Sequence, residues 1–144
     1  LSDDKEIAPL TGAVFCYNIC YNRRMLTKKK TIGNFGEQLA CEFLIKRGYQ
    51  IVGRNERSGH KELDIIARLG KMIVFVEVKT LAGRNSAPAE EALSRGQIET
   101  IKKAINAYSR RHRIKDGSVR FDFIAININR FTKTARIKHY ADIC

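Results

Sequence analysis

The most regular alternation of apolar and polar positions in this chain lies between residues 62 and 80. Residues 62–68 (Glu-Leu-Asp-Ile-Ile-Ala-Arg) and 72–80 (Met-Ile-Val-Phe-Val-Glu-Val-Lys-Thr) are both rich in β-branched side chains. Gly70 and Lys71 stand between them, and a Gly-first pair suits the tight two-residue turn of a β-hairpin. That turn sets Leu69 opposite Met72, Asp64 opposite Glu77 and Glu62 opposite Lys79. One face then carries Leu63, Ile65, Ala67, Leu69, Met72, Val74, Val76 and Val78. The other carries Glu62, Asp64, Glu77 and Lys79 at one end, with Ile66, Ile73 and Phe75 further in. A slip of one residue would mix the two sets, so burial fixes the register.

The remaining elements follow from similar signals. Phe35, Leu39 and Phe43 recur every four residues, Asn34 and Glu37 have the spacing of a capping box, and Gly48 ends the run, which predicts a helix over 35–47. Residues 49–57 read as a strand, 58–61 as a turn and 81–93 as a loop beside the charged end of the hairpin. Ile98, Ile101, Ile105 and Tyr108 mark an amphipathic helix from Arg95 to about Arg113. Strands follow at 119–128 and 135–140. The second helix is a crossover, so the strand it leads to should lie parallel to the one before it. The expected fold is α/β, an αβββαβ core with a mixed sheet flanked by helices.

The hairpin register poses an electrostatic problem. Opposed side chains of an antiparallel pair have Cβ atoms roughly 4.5–5.5 Å apart, and like charges there repel. Asp64 against Glu77 therefore calls for a cation. Lys79, two residues along the same face, supplies one positive charge. Hard ions such as Mg²⁺ or Mn²⁺ take one or two carboxylates together with water and phosphate oxygens, which this pair offers. The alternative is a solvated charge cluster, with Glu62 and Lys79 as an ordinary cross-strand ion pair.

Charge indicates what such a site would act on. The chain has 27 Lys and Arg against 15 Asp and Glu, a formal net charge of +12. An excess of that size favours a polyanion, and nucleic acid is the commonest one. No run approaches the roughly 18–20 apolar residues of a spanning helix, so no membrane partner is expected. Trp is absent and aromatics make up 8% of the chain, which favours backbone tracking by Lys and Arg over base stacking. Cys16, Cys20, Cys41 and Cys144 form no ligand pattern with His60, His112 and His139, which points to free thiols in a reducing cytoplasm. Residues 1–24 carry three basic and three acidic side chains, so the whole excess lies in 25–144. That balance suggests a non-native or disordered extension over 1–24 and a single domain over 25–144, with docking through 10–21 as the other reading.

The ordered set Gly36-Glu37, Gly48-Tyr49, Arg54-Asn55, Glu62-Leu63-Asp64-Ile65-Ile66-Ala67, Val74 to Thr80 and Arg120-Phe121-Asp122 resembles the YraN-type family of uncharacterised bacterial proteins. The resemblance covers about residues 31–140. Through Asp64 and Glu77-x-Lys79 the chain is also similar to the restriction-endonuclease-like PD-(D/E)xK superfamily, which includes archaeal Holliday junction resolvases. Lys61 departs from the family pattern, where a Gly precedes Glu-x-Asp. The resemblance implies a nuclease cleaving structured or branched DNA in repair or recombination. It implies Mg²⁺ or Mn²⁺ held by Asp64, Glu77 and the carbonyl of Val78, polarising a phosphate. Neighbouring carboxylates favour the charged ammonium of Lys79, which suits a stabiliser of the pentavalent phosphorane better than a base. Glu37 becomes an additional ligand by the same resemblance, against its capping role. Glu62, Gln97 and Asp122 are secondary candidates: Gln97 is equally a helix-start residue, and Asp122 equally an ion-pair partner of Arg120 or Arg136. The competing function is a nucleic-acid-binding module that keeps the fold without chemistry. Monomer and homodimer both remain open.

Overall fold

The computed structural model describes residues 14–19, 28–83 and 89–143. In chain order it contains β1 (Val14–Asn18), α1 (Lys29–Lys46), β2 (Gln50–Ser58), β3 (Lys61–Leu69), β4 (Met72–Ala82), a short 3-10 turn (Ala89–Ala92), α2 (Arg95–Arg111), β5 (Val119–Asn129) and β6 (Thr134–Tyr140). The strands form one mixed sheet in the order β1-β6-β5-β4-β3-β2. Every neighbouring pair is antiparallel except β4 and β5, which run parallel as the α2 crossover requires.

Each helix takes one face of the sheet. Ala40, Phe43 and Leu44 of α1 pack on Ile65, Ala67, Val74, Val76 and Val78, together with Ile124, Ile126 and Ile137. Ile101, Ala104, Ile105 and Tyr108 of α2 pack on Ile66, Phe75 and Phe121 from the other side. Covered twice, the central β4 reads as a nearly continuous buried run from Val74 to Val78. Gly36 sets how closely α1 approaches, because a methyl group at that position would overlap the Thr80 side chain of β4. The N-terminus of α2 is fixed by a reciprocal capping box, in which the Ser94 amide donates to Gln97 Oε1 (2.8 Å) and the Gln97 amide to Ser94 Oγ (3.2 Å).

The hairpin register is as expected from Leu69 opposite Met72 to Ile65 opposite Val76, with Gly70 in the left-handed region at φ 59. The pairing of β3 with β4 ends at Ile65. Leu63, expected beside Ile65 and Ala67, instead joins Ile66, Phe75 and Ile101 under α2. Alternation therefore breaks at Asp64. The partner strand bends at the same level: Arg54 pairs Ile65, Glu56 pairs Leu63, and Asn55 between them stands at φ 51. A second irregularity falls between Ile51 and Gly53. The far end of the β2–β3 hairpin curls onto α2, where the buried Ser58 hydroxyl donates to the Ala104 carbonyl at 2.8 Å.

Three expectations need correction. The helix predicted over 35–47 begins at Lys29, with Lys28 at its N-cap and no side-chain cap there. Asn34 and Glu37 are therefore interior residues of α1, and no capping box ties up Glu37. Part of the stretch set apart as an extension over 1–24 is a strand of the sheet: β1 pairs with β6 from Val14–Lys138 to Asn18–Thr134. Phe15 and Tyr17 pack against Phe43, and Ile19 is buried. The physical cause is period-two alternation, since Phe15, Tyr17 and Ile19 face the core while Cys16 and Asn18 face solvent. Residues 1–13 and 20–24 of that stretch lie outside the described residues. Finally, Glu62 and Lys79 do not oppose each other as a ladder pair, because β3 has left β4 before reaching them. Glu62 lies across from Arg57 of β2 instead.

Candidate functional site

Where β3 parts from β4, Asp64 turns its carboxylate into the gap and accepts the Val78 backbone N–H at 2.9 Å. The strands separate because a side chain has taken a main-chain partner of β4. Glu77 leaves β4 beside this point and is 3% exposed. Its Oε1 receives two ammonium groups, Lys79 Nζ at 3.1 Å and Lys61 Nζ at 3.3 Å. Leu63, Phe75, Ile101 and Phe121 line a tight recess with Asp64 and Glu77, so the two acids share an apolar surround.

That surround has an electrostatic consequence. Burial, and then the nearby charge of Glu77, pushes the Asp64 carboxyl from its usual range up to about 7, against the stabilising Val78 N–H. Glu37 reaches the same place from α1 and adds to the repulsion on Asp64. Its own carboxyl is raised by burial, which outweighs a hydrogen bond from Asn55 and the charge of Arg54; Glu62 and Glu77 raise it further. Glu37 Oε2 is buried with no hydrogen-bond partner, and so is Thr80 Oγ1, whose side chain lies against Gly36 on the same α1–β4 contact. Native proteins leave few such groups unmet, and those they do leave often mark a place for an ion or water.

The donor set fits a hard divalent ion: carboxylate oxygens of Asp64 and Glu77, with the unmet oxygen of Glu37 nearby. Among the described residues no three His, Cys, Asp or Glu side chains stand close enough together to ligate one ion. The set is thus of the open kind, in which water and phosphate complete the shell.

The structure brings Asp64, Glu77, Lys79 and the Val78 main chain together and places Glu37 within electrostatic reach of both acids. Glu62 is exposed, and its charge helps raise the Glu37 carboxyl. Gln97 is spent in the α2 capping box and is exposed. Asp122 pairs with Val76 in the parallel ladder while Glu77 pairs with Phe123, so Asp122 and Glu77 leave opposite faces of the sheet. There Asp122 accepts Arg120 Nε at 2.8 Å and Nη2 at 2.7 Å, bonds His139 Nε2 at 2.7 Å and accepts the Asp142 N–H at 3.0 Å. Of its two proposed ion-pair partners, Arg120 is the one found.

Asn55 and Thr80 carried no role in the sequence reading. Asn55 was legible as a residue that tolerates left-handed backbone in the middle of a strand. Nothing in the sequence marks the Thr80 hydroxyl as unmet.

Comparison with known proteins now adds an identity to this geometry. The description "uncharacterised protein family UPF0102" matches residues 36–126, a span that holds Glu37, Asp64, Glu77, Lys79 and Asp122. A UPF0102 protein of Thermotoga neapolitana is 44% identical over 90 residues, covering 62% of this chain and 81% of its own. One from Caldicellulosiruptor saccharolyticus is 39% identical over 101 residues, 70% of this chain and 86% of its own. One from Flavobacterium psychrophilum is 34% identical over 117 residues, 81% of this chain and 96% of its own. The chain belongs to the uncharacterised protein family UPF0102.

Proposed function

We propose that this protein is a divalent-metal-dependent nuclease that hydrolyses phosphodiester bonds in structured or branched DNA, as its likeness to the restriction-endonuclease-like superfamily suggests. The observation that carries the reading is the pairing of Asp64 with Glu77 in one recess where β3 leaves β4, with Glu37 adding its negative charge from α1. A protein with no use for a cation there gains nothing from placing two acids in an apolar recess.

Asp64, Glu77 and the Val78 carbonyl would hold Mg²⁺ or Mn²⁺, with Glu37 adding negative charge from α1. When bound, the ion supplies Lewis-acid polarisation of the phosphate and a lowered pKa for water. The chain does the rest. The Val78 N–H fixes the Asp64 carboxylate, and Lys79 anchors Glu77 while presenting a positive charge where the phosphate becomes more negative. The net charge of +12 draws in the DNA backbone without reading its sequence.

The test is incubation with labelled linear, nicked, flapped and four-way DNAs in Mg²⁺, Mn²⁺ or EDTA. Metal-dependent cleavage should disappear in Asp64→Asn and Glu77→Gln, while DNA affinity is kept or rises as a negative charge is lost. Lys79→Ala should slow cleavage by roughly 10²–10³ with metal binding retained. Binding should weaken linearly with log salt, at about 0.9 per phosphate contacted. One observation favours a second reading, a binding module without chemistry: two lysines already neutralise Glu77. Tight, salt-sensitive binding of all four DNAs with no cleavage under either metal would establish it.

A further inference from the structure

We infer that Lys61 is a displaceable counter-ion: it neutralises Glu77 while the site holds no divalent ion, and moves to a non-bridging phosphate oxygen of DNA once Glu77 is engaged. The inference deepens the nuclease reading and rests on it.

It starts from two ammonium groups on one oxygen. Glu77 is 3% exposed, and its Oε1 is contacted by Lys61 and Lys79, each with a side chain 29% exposed. The two lysines are not equivalent. Lys79 leaves the same strand as Glu77, two residues on, in the fully paired β4–β5 ladder. Lys61 is the first residue of β3, beside the exposed turn at Gly59 and His60, and reaches Glu77 from 16 positions away. Its charge also bears on Asp64, opposing the repulsion from Glu77. Lys61 is thus the cation that both acids share.

An ammonium and a divalent ion that draw on the same carboxylates compete, and the competition is reciprocal. Lysine suits exchange, with a compact charge on a flexible four-carbon stem and no fixed fork of donors. Released from Glu77, the ammonium stays close to where the polarised phosphate lies and meets a better partner there. No bond is made or broken; one ion pair replaces another.

The full chain tests this without relying on turnover. Mn²⁺ binding in the absence of DNA is measured by calorimetry for wild type, Lys61→Gln, Lys61→Met and Lys61→Arg, with melting temperature as the check of folding. Removing the charge should tighten Mn²⁺ roughly 1.5- to fivefold, the range of a partly exposed ion pair, and Lys61→Arg should stay near wild type. With Ca²⁺ in place of Mn²⁺, Lys61→Gln should also weaken duplex binding and flatten its log-salt slope by about 0.9, the loss of one phosphate contact. In EDTA the same variant should bind duplex like wild type. Mn²⁺ binding that is measurable and equal in wild type and both uncharged variants would overturn the role of Lys61 and leave the nuclease reading standing. No Mn²⁺ binding by any of the four proteins would overturn both. Binding by the uncharged variants alone would support Lys61 in its strongest form.

Discussion

The sheet carries a buried acid centre on each side of β4, and the two are built on opposite principles. At Asp122 every oxygen is answered. Arg120 grips it with two nitrogens, His139 and the Asp142 N–H complete it, and Tyr49 Oη in turn accepts Arg120 Nη2 at 2.8 Å. Burial alone would raise that carboxyl, yet the hydrogen bonds from His139, Arg120 and Asp142 outweigh it and hold Asp122 below the ordinary range. At Asp64 the balance is reversed: burial and Glu77 outweigh one N–H, and the carboxyl rises to about 7. The first centre is complete within the chain. The second keeps a raised carboxyl and, nearby, an unmet Glu37 oxygen, and under the proposed reading a divalent ion would complete it.

The largest test of that contrast is to remove the satisfied acid. Asp122→Ala leaves Arg120 and His139 buried without their partner, and the expected loss is roughly 3–5 kcal/mol, on the order of 10 °C in melting temperature. Denaturant unfolding at pH 7 measures it, and a change below about 1 kcal/mol would erase the distinction.

The next test uses pH, because the two centres should respond with opposite sign. A depressed carboxyl stabilises the fold above its unfolded value and loses that contribution as pH falls through the lower folded value. The acid limb from Asp122 therefore lies below about pH 4. A raised carboxyl keeps its proton in the folded state while the unfolded chain has lost it. Asp64 consequently costs stability progressively as pH rises from about 4 to about 7. Asp64→Asn should match wild type near pH 4 and exceed it by on the order of 4 kcal/mol at pH 8. Melting curves across that interval give the result, and a variant less stable than wild type at pH 8 would contradict the assignment. The smallest effect should come from Tyr49→Phe, which removes one bond to Arg120 and is expected to cost about 1 kcal/mol at any pH between 5 and 8.

Much of the Asp64 centre was legible because it sits on one hairpin. Two residues of turn and the division of apolar from charged positions were enough to set Asp64 near Glu77 and Lys79. The exit of β3 from β4 was not legible, because it depends on a side chain competing for the Val78 N–H, and with it went the true place of Leu63. Glu37 was misread locally: Asn34 and Glu37 have capping spacing, but α1 already runs through them from Lys29. The Asp122 centre needed four separate segments (Tyr49, Arg120 with Asp122, His139 and Asp142) to converge, and only the Arg120 pair is visible along the chain. The β1 strand was passed over because its few residues gain their meaning only beside β6.

That pairing also bears on what the margins of the sheet present to other chains. A sheet is open at two margins, and an open margin invites another chain to continue it. At the β2 margin, Arg54, Glu56 and Arg57 are exposed, Asn55 bends the strand, and the irregularity near Gly53 spoils a flat template. At the other margin β6 is a regular strand, with Ala135 and Ile137 buried on alternate positions and Arg136 exposed between them. β1 covers it. Cutting the chain ahead of Met25 would therefore do more than weaken the core: it would replace the five-residue β1 margin with the longer, regular edge of β6, and the cost would be read in aggregation that grows with concentration.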